Sequence, residues 1–90
     1  MEAILVEVTS AAGARSMAHR HPSFVVGYVL EGEMEFGING GTAQTVKAGA
    51  TFFEPAGALH TTSASARPDA PVTFLAFMVA PKGSKLTLPA

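Results

Sequence analysis

The residues of this chain best suited to chemistry are His19, His21 and His60, the only three histidines it contains. Two stand on alternate positions, and the third follows a Pro-x-Gly turn, Pro55-Ala56-Gly57. On an extended strand, residues two apart project from the same face, so His19 and His21 can aim both imidazoles at one point from places roughly 6–7 Å apart along the backbone. If the fold brings His60 alongside, three neutral ring nitrogens would grip one side of a divalent ion and leave the other side open to a ligand. An isolated His-x-His pair also fits ordinary strand polarity. The metal reading therefore depends on the elements that carry the three rings.

Those elements are strands. Helical periodicity is hard to find, and short β-rich runs are punctuated by Gly, Pro, Asn and Ser about every ten residues, the rhythm of a small sandwich or barrel. Ile4, Val6 and Val8 share one face of a first strand, with Leu5, Glu7 and Thr9 on the other and a turn over Ala11 to Gly13. A histidine strand follows, interrupted at Pro22, which has no N–H to pair, before pairing resumes over Phe24 to Leu30. Glu31-Gly32-Glu33 reads as a tight bend and Met34, Phe36 and Ile38 as the buried side of the next strand. Asn39-Gly40, where both residues tolerate positive φ, reads as the turn that folds Thr42 to Val46 back as a hairpin arm. Thr51 to Glu54 and Leu59 to Ser63 flank the Pro-x-Gly turn. Ala64 to Pro71 reads as a loop, and Val72 to Val79 as a strand apolar on both faces, one side filling the interior and the other packing on a second subunit.

Composition bounds the function classes. Ninety residues at 48% hydrophobic make one domain, 1–90, with a core, although a chain this short buries only about 60% of its unfolded surface, which favours oligomerisation. A formal charge of −1 with no basic stripe argues against nucleic acid as a partner. The longest apolar run, Phe74 to Ala80, has seven residues, far short of the roughly 20 that cross a bilayer as a helix. Glu2 and Glu7 in the opening segment do not suit a secretory signal. The absence of cysteine excludes disulfides and thiolate metal sites and fits a cytoplasmic protein.

Two spacings carry a family resemblance. Gly13, five residues, His19-Arg20-His21, then Tyr28-Val29-Leu30-Glu31-Gly32-Glu33 and Gly37, resembles the first motif of the cupin superfamily. Gly49, five residues, Pro55-Ala56-Gly57, two residues and His60 resembles the second. Phe74-Leu75-Ala76-Phe77 and Pro81-Lys82-Gly83 look like the tail of small single-domain cupins. The resemblance implies an all-β, double-stranded β-helix, a jelly-roll barrel whose mouth holds a metal between the two motifs. It implies His19, His21 and His60 as ligands, with nitrogens about 2.0–2.2 Å from the ion. The family's fourth ligand, a glutamate four residues after the second histidine, is here Val25.

An all-histidine face suits Fe, Zn, Ni or Cu better than Mg or Ca. Without the carboxylate the centre keeps its full charge, and an organic anion is the expected small-molecule partner. Some cupin dioxygenases use three histidines, so the resemblance implies an oxygenase or isomerase. A metal-free barrel that binds or senses a small molecule is the alternative, with Val25 its best support. Glu54 and Glu33 are the acids near the motifs, and either could act as proton carrier or replacement ligand if turned inward; the plainer reading has Glu33 solvated after its turn and Glu54, before Pro55, accepting backbone hydrogen bonds. Arg20 and Tyr28 are expected to face outward, Arg20 as a solvated or subunit-bridging charge and Tyr28 on the outer surface or a dimer contact. A homodimer is expected from the Val72–Val79 strand.

Overall fold

The computed structural model describes residues 1–89, all of them strand, turn or coil. Nine strands run in order: β1 (Glu2–Ser10), β2 (His19–Arg20), β3 (Val25–Glu31), β4 (Glu33–Ile38), β5 (Gln44–Lys47), β6 (Thr51–Glu54), β7 (Leu59–Ser65), β8 (Val72–Ala80) and β9 (Leu88–Pro89). They form a four-stranded sheet, β1-β8-β3-β6, and a five-stranded sheet, β5-β4-β7-β2-β9. The pairings are antiparallel. The chain alternates between the sheets as a jelly roll does, passing from β3 to β4, β5 to β6, β6 to β7 and β7 to β8. The sheets share no strand, so the double-stranded β-helix is an open, flattened barrel. No helix of the described residues is long and apolar enough to cross a membrane.

Alternation in the sequence decides which side chains fill the space between the sheets. Met34 and Phe36 of β4, Val46 of β5, Val29 of β3, Phe52 of β6, and Val72 and Phe74 of β8 make one buried cluster. Phe52 meets Phe36 at 4.7 Å and Phe74 at 5.7 Å between ring centroids, the second pair T-shaped. A second cluster of Val25, Ala76 and Met78, with Val6 and Leu86 against it, lies toward the histidines.

One glycine is required by this packing. Gly27 pairs directly with Phe52, and a Cβ there would enter the Phe52 ring. Gly27→Ala is therefore expected to lower stability by about 1–3 kcal/mol, the usual cost of overpacking; an unchanged urea midpoint would contradict this packing.

The expected turns form. Asn39 and Gly40 take φ of 53° and 73°, and the Gly41 N–H donates to the Ile38 carbonyl at 2.9 Å. The return arm, however, begins to pair only at Gln44 opposite Phe36, while Ile38 pairs with His60 on the other side of β4. The stretch expected as a loop from Ala64 is shorter than anticipated. Ala64 and Ser65 still pair with Glu35 and Met34, and Ser65 Oγ donates to the Ala70 carbonyl at 2.6 Å while accepting from the Arg67 N–H. Arg67 and Asp69 pair in the remaining turn, and the hydrogen bond from the guanidinium holds the Asp69 carboxyl below its usual range.

β8 is central in its sheet, with Val72, Phe74, Ala76, Met78 and Ala80 buried. Its other face contributes to an apolar row in direct register across all four strands: Leu5, Phe77, Val26 and Phe53. These four are between 37% and 64% exposed, a contiguous apolar stripe on the outside of the sheet.

Candidate metal centre

The histidines meet because β2 docks beside β7. His19 is the direct cross-strand partner of His60, so residues about forty positions apart become neighbours on one face, with ring centroids 4.9 Å apart. β2 contains only His19 and Arg20, in keeping with the missing N–H at Pro22, and His21 stands just beyond its end. The His21 ring still reaches His19, centroid to centroid 4.8 Å, nearly perpendicular. One ligand atom from each of the three side chains lies within 4.8 Å of the others.

Backbone oxygens dictate which nitrogens are available. His19 Nδ1 lies 2.8 Å from the Met17 carbonyl, and His21 Nδ1 lies 2.7 Å from the Leu86 carbonyl. A carbonyl has no proton to give, so each Nδ1 must carry the hydrogen and donate it. In the neutral rings each Nε2 is then a bare lone pair, and the two Nε2 atoms face one another at 3.1 Å. Two lone pairs at that distance repel unless a cation, a proton or a metal ion, is shared between them.

His60 is buried, and its Nδ1 sits 3.1 Å from Oε2 of the equally buried Glu54, close in distance but not aligned as a hydrogen bond. Neither nitrogen of His60 has a protein partner, nor does Glu54 Oε1. The edge of Phe36 packs on the His60 ring at 5.1 Å and joins it to the aromatic core. Buried polar atoms without partners are costly, and these are concentrated around one point.

That point opens into a cavity of about 280 Å³. Its walls are apolar, built from Val6 and Val8 of β1, Val25 of β3, and Phe52, Phe74 and Met78, while His21, His60 and Glu54 supply most of the polar lining. Phe52 and Phe74 thus belong to the core and also face the cavity, with Met78, whereas Met34 and Phe36 are core residues that do not line it. Tyr28 faces outward, as alternation from Val25 requires.

Two sequence expectations need correction. Arg20 is exposed but not merely solvated: its guanidinium reaches the Gly57 carbonyl at 2.8 Å, and the Gly57 N–H donates to the His21 carbonyl at 2.9 Å, tying the histidine strand to the Pro-x-Gly turn. Glu33 is half-buried, its carboxylate 3.8 Å from Arg67. The carbonyls of Met17 and Leu86 have no side-chain signature and escaped the sequence reading. Glu54 did leave a signal, since it shares strand parity with the buried Phe52.

The family model described as "Cupin domain" matches residues 6–78. The chain belongs to the cupin family. Solved structures agree on the fold. The DMSP lyase DddQ from Ruegeria pomeroyi DSS-3 superposes with a TM-score of 0.84 at 23% identity, over 98% of this cupin and 43% of the lyase. A conserved protein with a double-stranded β-helix domain from Klebsiella pneumoniae gives 0.79 at 25% identity, covering 98% and 75%. A predicted oxalate decarboxylase from Thermotoga maritima gives 0.73 at 25% identity, covering 87% and 66%. This cupin spans less than half the length of the Ruegeria lyase. No curated protein sequence matches it at a significant level.

Proposed function

We propose that His19, His21 and His60 hold a divalent transition metal, Fe, Zn, Ni or Cu, and that the cavity beside them takes a small ligand with an anionic head and an apolar body. One observation carries the reading: Nε2 of His19 and Nε2 of His21 stand 3.1 Å apart with both Nδ1 protons committed to carbonyls. That separation suits two donors each about 2.0–2.2 Å from one ion. The spread of 4.8 Å over the whole triad exceeds the roughly 3–3.5 Å between nitrogens that share one side of an ion, so loading requires the rings to close by about 1–2 Å. The unpartnered nitrogens of His60 are the atoms with most to gain from it.

The residues divide the work. The carbonyls of Met17 and Leu86 fix the tautomers of His19 and His21, so the lone pairs point inward before any guest arrives. Val25, Phe52, Phe74 and Met78 hold an apolar body and exclude water, which strengthens electrostatic attraction at the polar end. Imidazoles bring no charge of their own, so an anionic head is favoured there. A bound ion of this class would supply Lewis acidity and, where redox-active, a route to oxygen chemistry, in keeping with an oxygenase or isomerase.

Val25 favours a second reading, a metal-free barrel that binds a small molecule. Purified protein incubated in turn with Fe(II), Zn, Ni and Cu and then desalted decides between them. About one equivalent of metal per chain is expected, and protein that stays metal-free with all four would end the metal reading.

We further propose a homodimer through the outer face of the four-stranded sheet. Leu5, Phe77, Val26 and Phe53 form a row that is self-complementary about a two-fold axis through its middle: the end residues exchange partners and the central pair meets itself. Light scattering at micromolar concentration should give twice the monomer mass, and Phe53→Asp should halve it. A monomeric wild type would refute the dimer.

A further inference from the structure

Glu54 is the one buried carboxylate among the described residues, and no lysine, arginine or backbone donor reaches its Oε1. A carboxylate taken out of water needs compensation, and what stands beside this one is His60, with Nδ1 3.1 Å from Oε2. Glu54 is also the direct cross-strand partner of Val25 in the β3–β6 ladder. Directly opposed side chains on one face of an antiparallel pair are close neighbours, roughly 5 Å apart at Cβ. Both line the same cavity.

We infer that Glu54 is the carboxylate of this metal centre, a positioning residue that acts on the ion through His60 from across the strand pair while Val25 leaves an apolar wall. The inference rests on the three-histidine reading and deepens it. Each histidine then leans its Nδ1 on an oxygen: His19 on Met17, His21 on Leu86 and His60 on Glu54. A small rotation of the His60 ring turns the 3.1 Å contact into a hydrogen bond from Nδ1–H to Oε2 and leaves Nε2 as the donor to the ion. The charge of the centre changes as well. A dication held by three neutral rings beside one carboxylate has a net charge of +1, so the anion it takes is a monoanion, such as a monocarboxylate or an enolate, with an apolar body for the walls. A dianion would leave uncompensated negative charge in a cavity with no further cation.

The test is Zn(II) affinity by competition with a chromophoric chelator, for wild type, Glu54→Gln, and the exchanged pair Val25→Glu with Glu54→Val, alongside the melting temperature of each metal-free protein. Glu54→Gln should bind Zn(II) about 10–100-fold more weakly, yet melt no lower than wild type without metal, because it relieves a buried charge. The exchanged pair should recover most of the lost affinity by returning the carboxylate to the same space. A residue of merely structural value would lower both quantities together, which would overturn the assignment. So would a Glu54→Gln protein that binds Zn(II) as tightly as wild type. If wild type itself binds no metal, the three-histidine reading falls and this inference with it; if wild type binds and Glu54→Gln is unchanged, only the role of Glu54 falls.

Discussion

Replacing His60 with alanine is expected to abolish metal binding, leaving less than about a tenth of an equivalent per chain where wild type holds about one. His60 is the most buried of the three histidines. Both its nitrogens lack hydrogen-bond partners in the protein, and the substitution removes one of the three donors that the fold gathers. His19 and His21 remain, but two imidazoles are a poor grip on a dication in competition with water. The variant should still fold, because it removes a polar group that the protein itself leaves unsatisfied, although the space left beside Phe36 will lower its stability somewhat. Elemental analysis with a far-UV spectrum of the same sample checks both points. A folded His60→Ala protein that retains stoichiometric metal would place the ion elsewhere.

The second large effect is on stability. A ligand that binds only the folded chain stabilises it by mass action, about 2.7 kcal/mol when its free concentration is a hundred times its dissociation constant. For a chain of this length each kcal/mol moves the melting temperature by about 4–8 °C, so adding Zn(II) to metal-free protein should raise it by about 10–20 °C. A chelator should reverse the change, and His60→Ala should show neither. The facing Nε2 atoms of His19 and His21 make the sign definite, since the shared cation turns a repulsion into an attraction. Equal melting temperatures with and without metal would remove the basis for a metal centre here.

Much of this was legible in the sequence, and the reason is parity. Ile4, Val6 and Val8 face inward along β1, as their alternation requires, and Val6 and Val8 end as walls of the cavity. His19 and His21 share a face for the same reason. The Asn39-Gly40 turn forms where two residues tolerant of positive φ adjoin. What the sequence withheld are contacts made by groups every residue possesses. No residue type announces that the Leu86 carbonyl will accept a hydrogen bond from His21, or that the tail will return as β9 to pair with β2. Arg20 misled because its outward direction was right while its length carried the guanidinium to the Gly57 carbonyl. Glu54 was readable in part: counting by twos from Phe52 turns it inward, but only the register of β3 on β6 sets it against Val25.

The brevity of β2 has a further consequence. Two rungs on β7 and two on β9 are all the ladder that fastens this strand, so its opening on its own costs little compared with unfolding the sheets. An ion clasped by His19, His21 and His60 would act as a rivet through that lightly stitched seam, and the last strand, laced only to β2, would be drawn tight with it. Amide exchange along residues 86–88 would then report whether the mouth is filled, even though none of those three residues is a candidate ligand.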